Sequence, residues 1–225
     1  RGRIDGVEAR MNEFEAGTFS DTTTLDGKAV FALSAVDGAD EIGKTEATTL
    51  AFVYQMNLNT SFTGDDNLYV RLKSGNGWGN LGVKPATYHN EAKNTGDGTS
   101  TPVNVDKIWY TFPIGDKVTA TVGPLIENYY MLAATPSVYK PKLLKAFRFG
   151  GHGIAFGAST SVGLGVKYVG DNGFASSLTV NSKNGEDASG FLTAEDQNKV
   201  NIMGAYTGDN YHLSATYTTQ QKGWT

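Results

Sequence analysis

Residues 199–219 read KVNIMGAYTGDNYHLSATYTT, and apolar and polar side chains alternate on both sides of a short break. Alternation with a period of two is the pattern of a β-strand with one apolar face. The break at 208–210 is Gly-Asp-Asn, and these residues favour tight turns. The stretch therefore predicts a β-hairpin with strands at 199–207 and 211–219.

The same alternation recurs from residue 18 onward and predicts nine strands in an all-β, antiparallel, up-and-down arrangement. The strands are expected at 23–35, 47–58, 67–74, 105–112, 118–123, 161–169, 174–182, 199–207 and 211–219. We call one set of 34 alternating positions, none of them charged, the apolar face. It comprises Leu25, Gly27, Ala29, Phe31, Leu33, Leu50, Phe52, Tyr54, Met56, Leu58, Leu68, Val70, Leu72, Ile108, Tyr110, Phe112, Val118, Ala120, Val122, Leu164, Val166, Tyr168, Phe174, Ser176, Leu178, Val180, Val200, Ile202, Gly204, Tyr206, Tyr211, Leu213, Ala215 and Tyr217. The opposite side is polar, and we call it the polar face.

The connections between the predicted strands alternate between short and long. The short ones lie at 59–66, 113–117, 170–173 and 208–210, and aromatic residues flank them. Short turns at one end, long loops at the other and aromatics at a lipid–water boundary are typical of outer-membrane β-barrels. A soluble or cell-surface β-sandwich that binds glycans is the alternative, because a sandwich also has one apolar face.

Composition excludes several classes of protein. The chain has no cysteine, so it forms neither disulfides nor thiolate metal sites. Its net charge of −4 argues against a nucleic-acid binder, which normally carries a basic surplus. It has no apolar run long enough for a transmembrane helix.

The first 17 residues have a different period. Ile4, Val7, Met11 and Phe14 recur at steps of three, four and three, the spacing of a coiled-coil seam, and Gly17 is a plausible helix stop. An ordinary amphipathic helix fits the same residues. The spacing therefore predicts a short helix at 1–17, ahead of a β-barrel domain at 18–225, and leaves open whether the helix belongs to a coiled coil.

The apparent catalytic motifs lack the context that their chemistry needs. Gly38–Thr45 fits the pattern of a phosphate-binding loop, but Asp40 and Glu41 would repel phosphate, and a strand rather than a helix follows. The three histidines are far apart in sequence and have no ligand spacing. The sequence therefore predicts no enzyme, no catalytic residue, no metal site and no cofactor, and a nucleotide hydrolase is a remote alternative.

Basic residues dominate the charges on the polar face and in the longest loop. Six charged residues are assigned to the polar face of the predicted strands; five are basic and one, Asp26, is acidic. Rings of Lys or Arg in a narrow pore favour anions. Alternatively, these basic residues are solvated loop charges or bind anionic lipopolysaccharide. The candidate pore-lining residues are Lys28, Arg71, Lys73, Lys107, Lys140, Lys142, Lys145, Arg148 and Lys167.

Four stretches resemble the cyanobacterial outer-membrane porins that carry an N-terminal S-layer-homology domain. They are RGRIDGVEAR at 1–10, MNLNTSFTG at 56–64, VDKIWY at 105–110 and IENYYMLA at 126–133. These porins are related to the carbohydrate-selective porins and are often labelled iron-uptake porins. The similarity extends along essentially the whole chain, and the second and fourth stretches are specific.

The resemblance implies a trimeric, sixteen-stranded porin of the outer membrane whose missing N-terminal domain binds the cell wall. It also implies that residues 1–17 are the end of the coiled-coil helix between that domain and the barrel. An odd number of strands and a C-terminal Thr225 then predict that this is only the N-terminal part of the barrel. The implied function is passive diffusion of small hydrophilic solutes and ions, with inorganic ions, iron species and sugars as candidates. The expected partners are two further copies, outer-membrane lipid and lipopolysaccharide, and no nucleic acid. Three tyrosines are candidates for stacking on sugars: Tyr129, Tyr130 and Tyr139.

Overall fold

A computed structural model describes residues 22–34, 48–76, 102–134, 160–188 and 190–221. These residues form one nine-stranded sheet in which each strand pairs antiparallel with the next along the chain. The strands are β1 (Thr23–Ser34), β2 (Thr49–Thr60), β3 (Asn67–Gly75), β4 (Asn104–Ile114), β5 (Val118–Glu127), β6 (Thr160–Val169), β7 (Phe174–Ser182), β8 (Asn198–Thr207) and β9 (His212–Gln220). All nine predicted strands are therefore confirmed, with ends shifted by a few residues.

The register confirms the predicted apolar face. Leu178 of β7 lies between Val166 of β6 and Ile202 of β8, and Ile202 in turn lies opposite Tyr217 of β9. Because side chains alternate between the two sides of a strand, this alignment places one apolar side chain beside the next across the sheet. β1 and β9 are the two edges of the sheet among the described residues.

The exposure of the two faces is the reverse of that in a soluble sheet. Ile202 and Tyr217 of the apolar face are 53% and 68% exposed. On the polar face Thr179 and Asn181 are fully buried, and Asn201 is 1% exposed. An apolar band on the outside and polar residues inside are what the wall of a transmembrane β-barrel requires. The sheet is therefore part of an up-and-down transmembrane barrel.

The short connections are turns at one end of the sheet, as expected, and aromatic rings pack beside them. The ring centroids of Tyr168 and Phe174 are 6.3 Å apart, and those of Tyr206 and Tyr211 are 6.0 Å apart. Since neighbouring strands run in opposite directions, the long connections all leave the sheet at its other end. Within the described residues, no helix has the length and apolarity needed to cross a membrane.

β4 contains a bulge that the sequence pattern did not predict. Pairing with β3 passes from Arg71–Lys107 directly to Leu72–Val105, so Asp106 has no partner across the strand pair. A bulge re-aims the extra side chain. The Asp106 carboxylate accordingly reaches Arg71 and Lys107.

Asp66 organises the turn between β2 and β3. Its Oδ1 accepts hydrogen bonds from Ser61 Oγ, from the backbone N–H of Phe62, and from both the N–H and the hydroxyl of Thr63, at 2.7–2.9 Å. Its Oδ2 accepts the Tyr110 hydroxyl at 2.6 Å, which ties the turn to β4. The Tyr110 hydrogen bond, helped by those from Thr63 and Ser61, holds the pKa of Asp66 well below its usual range.

We expect Asp66→Asn to lower the urea midpoint of unfolding at pH 7. An amide cannot accept all five hydrogen bonds, and it lacks the charge that strengthens them. Because the folded-state pKa is depressed, the stabilisation is present above the unfolded pKa of about 3.9 and is lost as the pH falls through the folded value. The difference in urea midpoint between Asp66→Asn and wild type should therefore be smaller at about pH 2.5 than at pH 7. Asp65→Asn, at the exposed neighbouring residue, is the matched control. An equal difference in urea midpoint at both pH values would mean that the charge of the Asp66 carboxylate does not stabilise the fold.

Candidate functional site: the polar face of the sheet

A hydrogen-bonded polar band crosses the first strands on the polar face. The Asn57 amide donates to Asp26 Oδ1, which links β2 to β1. Tyr69 Oη of β3 donates to Asn57 Oδ1 at 2.9 Å and accepts a hydrogen bond from Arg71 Nε at 2.9 Å. Arg71 also lies with its guanidinium carbon 5.5 Å from the centre of the Tyr69 ring. These contacts hold the Arg71 side chain in one orientation.

Arg71 is the centre of a charge cluster contributed by three strands. Its Nη1 lies 3.7 Å from Asp106 Oδ2 of β4 and 3.7 Å from Glu127 Oε2 at the end of β5. Lys107 Nζ lies 3.2 Å from the same Asp106 oxygen. The side chains of Arg71, Asp106 and Lys107 are at most 15% exposed. Bulk water therefore screens these charges less than it screens surface ion pairs.

After β5 the chain turns over the polar face, and we call residues 128–134 the inner segment. It begins with a 3-10 turn at Asn128–Met131. Asn128 is fully buried, donates to Ser161 Oγ of β6 at 3.0 Å and accepts from Asn181 Nδ2 of β7 at 2.9 Å. The backbone N–H of Ala133 donates to Ser177 Oγ of β7 at 3.0 Å. The inner segment is thus bonded to two strands of the wall.

Aromatic rings extend from the wall onto the inner segment. Tyr69 stacks on Trp109 with centroids 4.3 Å apart, and Trp109 lies 5.0 Å from Tyr130. Tyr130 stacks on Tyr129 at 4.7 Å. Trp109 is buried, whereas Tyr130 is 44% exposed, so the accessible end of this row is on the inner segment.

The predicted pore-lining residues fall into three groups. Arg71, Lys73 and Lys107 lie together on β3 and β4, and all three are buried or nearly so. Lys28 of β1 is exposed and pairs with Gln55, and Lys167 of β6 lies between Thr119 and Ser177. The remaining pore candidates lie outside the described residues: Lys140, Lys142, Lys145 and Arg148. The same is true of the predicted helix at 1–17, the Gly38–Thr45 motif, Tyr139, His89 and His152.

Sequence reasoning missed three charged residues of this site. Asp106 and Glu127 pair with the predicted cations, and Lys199 of β8 is 2% exposed on the polar face. The nine strands together contain six basic and three acidic residues, so their charge is more balanced than the predicted five to one. Lys199 alternates with Asn201 and was recognisable from the pattern, whereas Asp106 depends on the bulge.

The arrangement has the chemistry of a channel wall. Among the described residues no group of His, Cys, Asp and Glu is placed to hold a metal ion. A sheet with a continuous apolar outer face, a charged inner face and a chain segment folded across that inner face is the wall of a β-barrel porin. The chain belongs to the carbohydrate-selective porin, OprB family, whose sequence model matches residues 1–222.

Two cyanobacterial proteins are similar in sequence. An uncharacterized protein of Nostoc sp. is 34% identical over 122 residues, which cover 51% of this chain and 21% of that protein. An uncharacterized protein of Synechocystis sp. is 32% identical over 154 residues, which cover 66% of this chain and 28% of that protein. The chain therefore spans less than a third of the length of these relatives.

Solved porin structures are similar in fold. A double mutant of Rh. blastica porin superposes with a TM-score of 0.46 at 17% identity. The match covers 88% of this chain and 63% of that one.

Proposed function

We propose that the protein containing this chain is an outer-membrane porin through which small hydrophilic solutes diffuse passively. The observation that carries the proposal is the reversed exposure of the sheet. Leu178 is 44% exposed, whereas its chain neighbours Ser177 and Thr179 are 5% and 0% exposed. A soluble β-sandwich would bury the apolar face against a second sheet instead.

We infer that the solute path runs along the polar face beside the inner segment. Arg71, Lys73 and Lys107 would give the path a positive side, and Asp106 and Glu127 would moderate it. The exposed ring of Tyr130, stacked on Tyr129, offers an aromatic surface to the apolar faces of a sugar. Sugars and small anions are therefore the proposed solutes, and iron species are a further candidate from the family resemblance.

Reconstitution of the full-length protein tests the function. In planar bilayers it should open discrete conductance steps, and in liposomes it should allow osmotic swelling with small sugars. Passage should fall as the solute grows, because diffusion through a water-filled barrel is limited by its width. Liposomes without protein are the control. A protein that stays soluble without detergent and gives no conductance would contradict the proposal.

We infer that the protein assembles as a homotrimer in outer-membrane lipid. Residues 1–17 would form a short coil that helps to organise three copies, while contact between barrels would supply most of the affinity, because so short a helix is marginal alone. Lipopolysaccharide is a proposed partner at the loop end. Attachment to the cell wall through an upstream domain is proposed from the family resemblance.

Crosslinking of the full-length protein in mild detergent should give trimers. Replacing Ile4 and Val7 together by Ser should weaken trimers, because it removes two of the four apolar positions of the seam. Replacing Arg3 and Arg10, which flank the seam, by Ser is the matched control. Monomers alone from the intact wild-type protein would contradict the assembly.

A further inference from the structure

Two glycines of β6 leave a socket for the Met131 side chain. A Cβ added at Gly165 would lie 3.0 Å from Met131 Cβ and 3.0 Å from its Sδ, closer than most Cβ atoms approach any neighbour. A Cβ at Gly163 would lie 3.2 Å from Met131 Cε and 2.3 Å from Asn181 Nδ2. Met131 itself is 1% exposed. A side chain at either position would therefore require Met131 or Asn181 to shift.

The other side of Met131 is closed by apolar residues of the wall. Trp109 of β4 and Ile126 of β5 pack with it in one buried cluster. The next residue of the inner segment, Leu132, packs on Met203 of β8. The segment is therefore held by apolar contacts at Met131 and Leu132.

Hydrogen bonds hold the segment on both sides of this apolar contact. Asn128 is bonded to Ser161 and Asn181 before Met131, and the Ala133 backbone is bonded to Ser177 after it. Ser161, Asn181 and Ser177 are each at most 5% exposed. A contact of this kind has one well-packed arrangement. An added methyl group disturbs it, because protein interiors are close-packed.

We propose that Met131, seated over Gly163 and Gly165, is the positioning residue that fixes the inner segment on the barrel wall and so sets the free width of the pore. The proposal rests on the porin function proposed above. Met131 does not touch the solute in this role. It acts by fixing the position of Tyr129 and Tyr130, which belong to the same 3-10 turn.

The rate of disulfide formation between the inner segment and β7 tests whether Met131 positions the segment, and it does not depend on transport. We call this positioning contact of Met131 the lock. Residues 1–225 contain no cysteine, so Ala133→Cys with Ser177→Cys introduces the only two thiols of this part of the protein, where backbone N–H and hydroxyl oxygen are now 3.0 Å apart. In the full-length protein, this pair should oxidise rapidly. Adding Gly165→Val should slow oxidation by roughly tenfold or more, since overpacking of a close-packed contact shifts the equilibrium by that order. Gly204→Val is the matched control, because a Cβ at Gly204 meets no atom within 4 Å.

Removal of the Met131 side chain should repair the overpacked variant. Met131→Ala removes the Sδ that would crowd the valine but keeps the Cβ, so the combination of Gly165→Val and Met131→Ala should recover part of the oxidation rate that Gly165→Val alone loses. Single-channel conductance should follow the same order, with the repaired protein nearer to wild type. A heat-modifiable band on gels checks that each barrel has folded.

The outcomes separate the lock from the function. If Gly165→Val folds and oxidises as fast as the parent pair, Met131 does not position the segment, whatever the conductance. If Gly165→Val does not fold, Met131→Ala alone decides, because an empty socket should also slow disulfide formation. A protein that shows the expected oxidation kinetics but no conductance would retain the lock and contradict the porin function.

Discussion

Arginine in place of Val166 should destabilise the barrel folded in a bilayer by roughly 2–4 kcal/mol. Val166 is 40% exposed on the apolar face and is the seventh residue of the ten-residue strand β6, between Ala120 and Leu178. At that depth a guanidinium would sit in hydrocarbon, where it has neither water nor a counter-charge. Equilibrium unfolding from lipid vesicles in urea measures the change.

Thr216→Arg is the matched control for this change. Thr216 is half-buried in β9 on the polar face, opposite Met203. Arginine there should reach the lumen and cost little. Ser177 is less suitable, although it too lies on the polar face, because it is buried beneath the inner segment and bonded to Ala133. Equal losses for Val166→Arg and Thr216→Arg would show that the apolar face does not contact lipid.

The strands were predictable because a barrel wall repeats one simple rule. In β7 and β8, Leu178 pairs with Ile202 and Thr179 with Asn201, so a period of two places every side chain correctly. The turn residues at 170–173 and 208–210 then determine which residues of the two flanking strands pair. Local pattern and global fold agree in these strands, and the sequence was sufficient.

The site was less predictable because it depends on departures from that rule. The bulge after Arg71 brings Asp106 into the charge cluster, and a register shift between Gly123 and Ile126 in β5 precedes the buried Ile126. Alternation places a residue on a face only while the register holds. The contact between Met131 and Gly165 joins residues 34 positions apart in the chain, and no local pattern encodes such a contact.

The acids that the pattern missed should affect ion selectivity as strongly as the predicted bases. A monovalent ion about 8 Å from a unit charge, at an effective dielectric constant of about 40, gains or loses about 1 kcal/mol, which is about fivefold in relative permeability. Glu127→Gln removes one negative charge beside Arg71, and Arg71 keeps Asp106 as its partner. The reversal potential of the full-length protein at low salt should therefore move toward anion preference.

Loss of the bases should move the reversal potential the other way. Arg71→Gln and Lys73→Gln together leave Asp106 and Glu127 in excess, so cations should pass more readily. Adding Lys142→Gln and Lys145→Gln tests the long loop in the same way.

Two further variants control for effects other than lumen charge. Lys117→Gln removes an equal charge at the turn end, where Lys117 pairs with Asp171 at 2.6 Å, and should leave selectivity unchanged. Arg71→Gln combined with Glu127→Gln restores the net charge and should lie near wild type. If Glu127→Gln and Arg71→Gln shift the potential in the same direction, pore width rather than charge responds to these residues. If neither shifts it, the Arg71 cluster is structural, and selectivity arises elsewhere in the barrel.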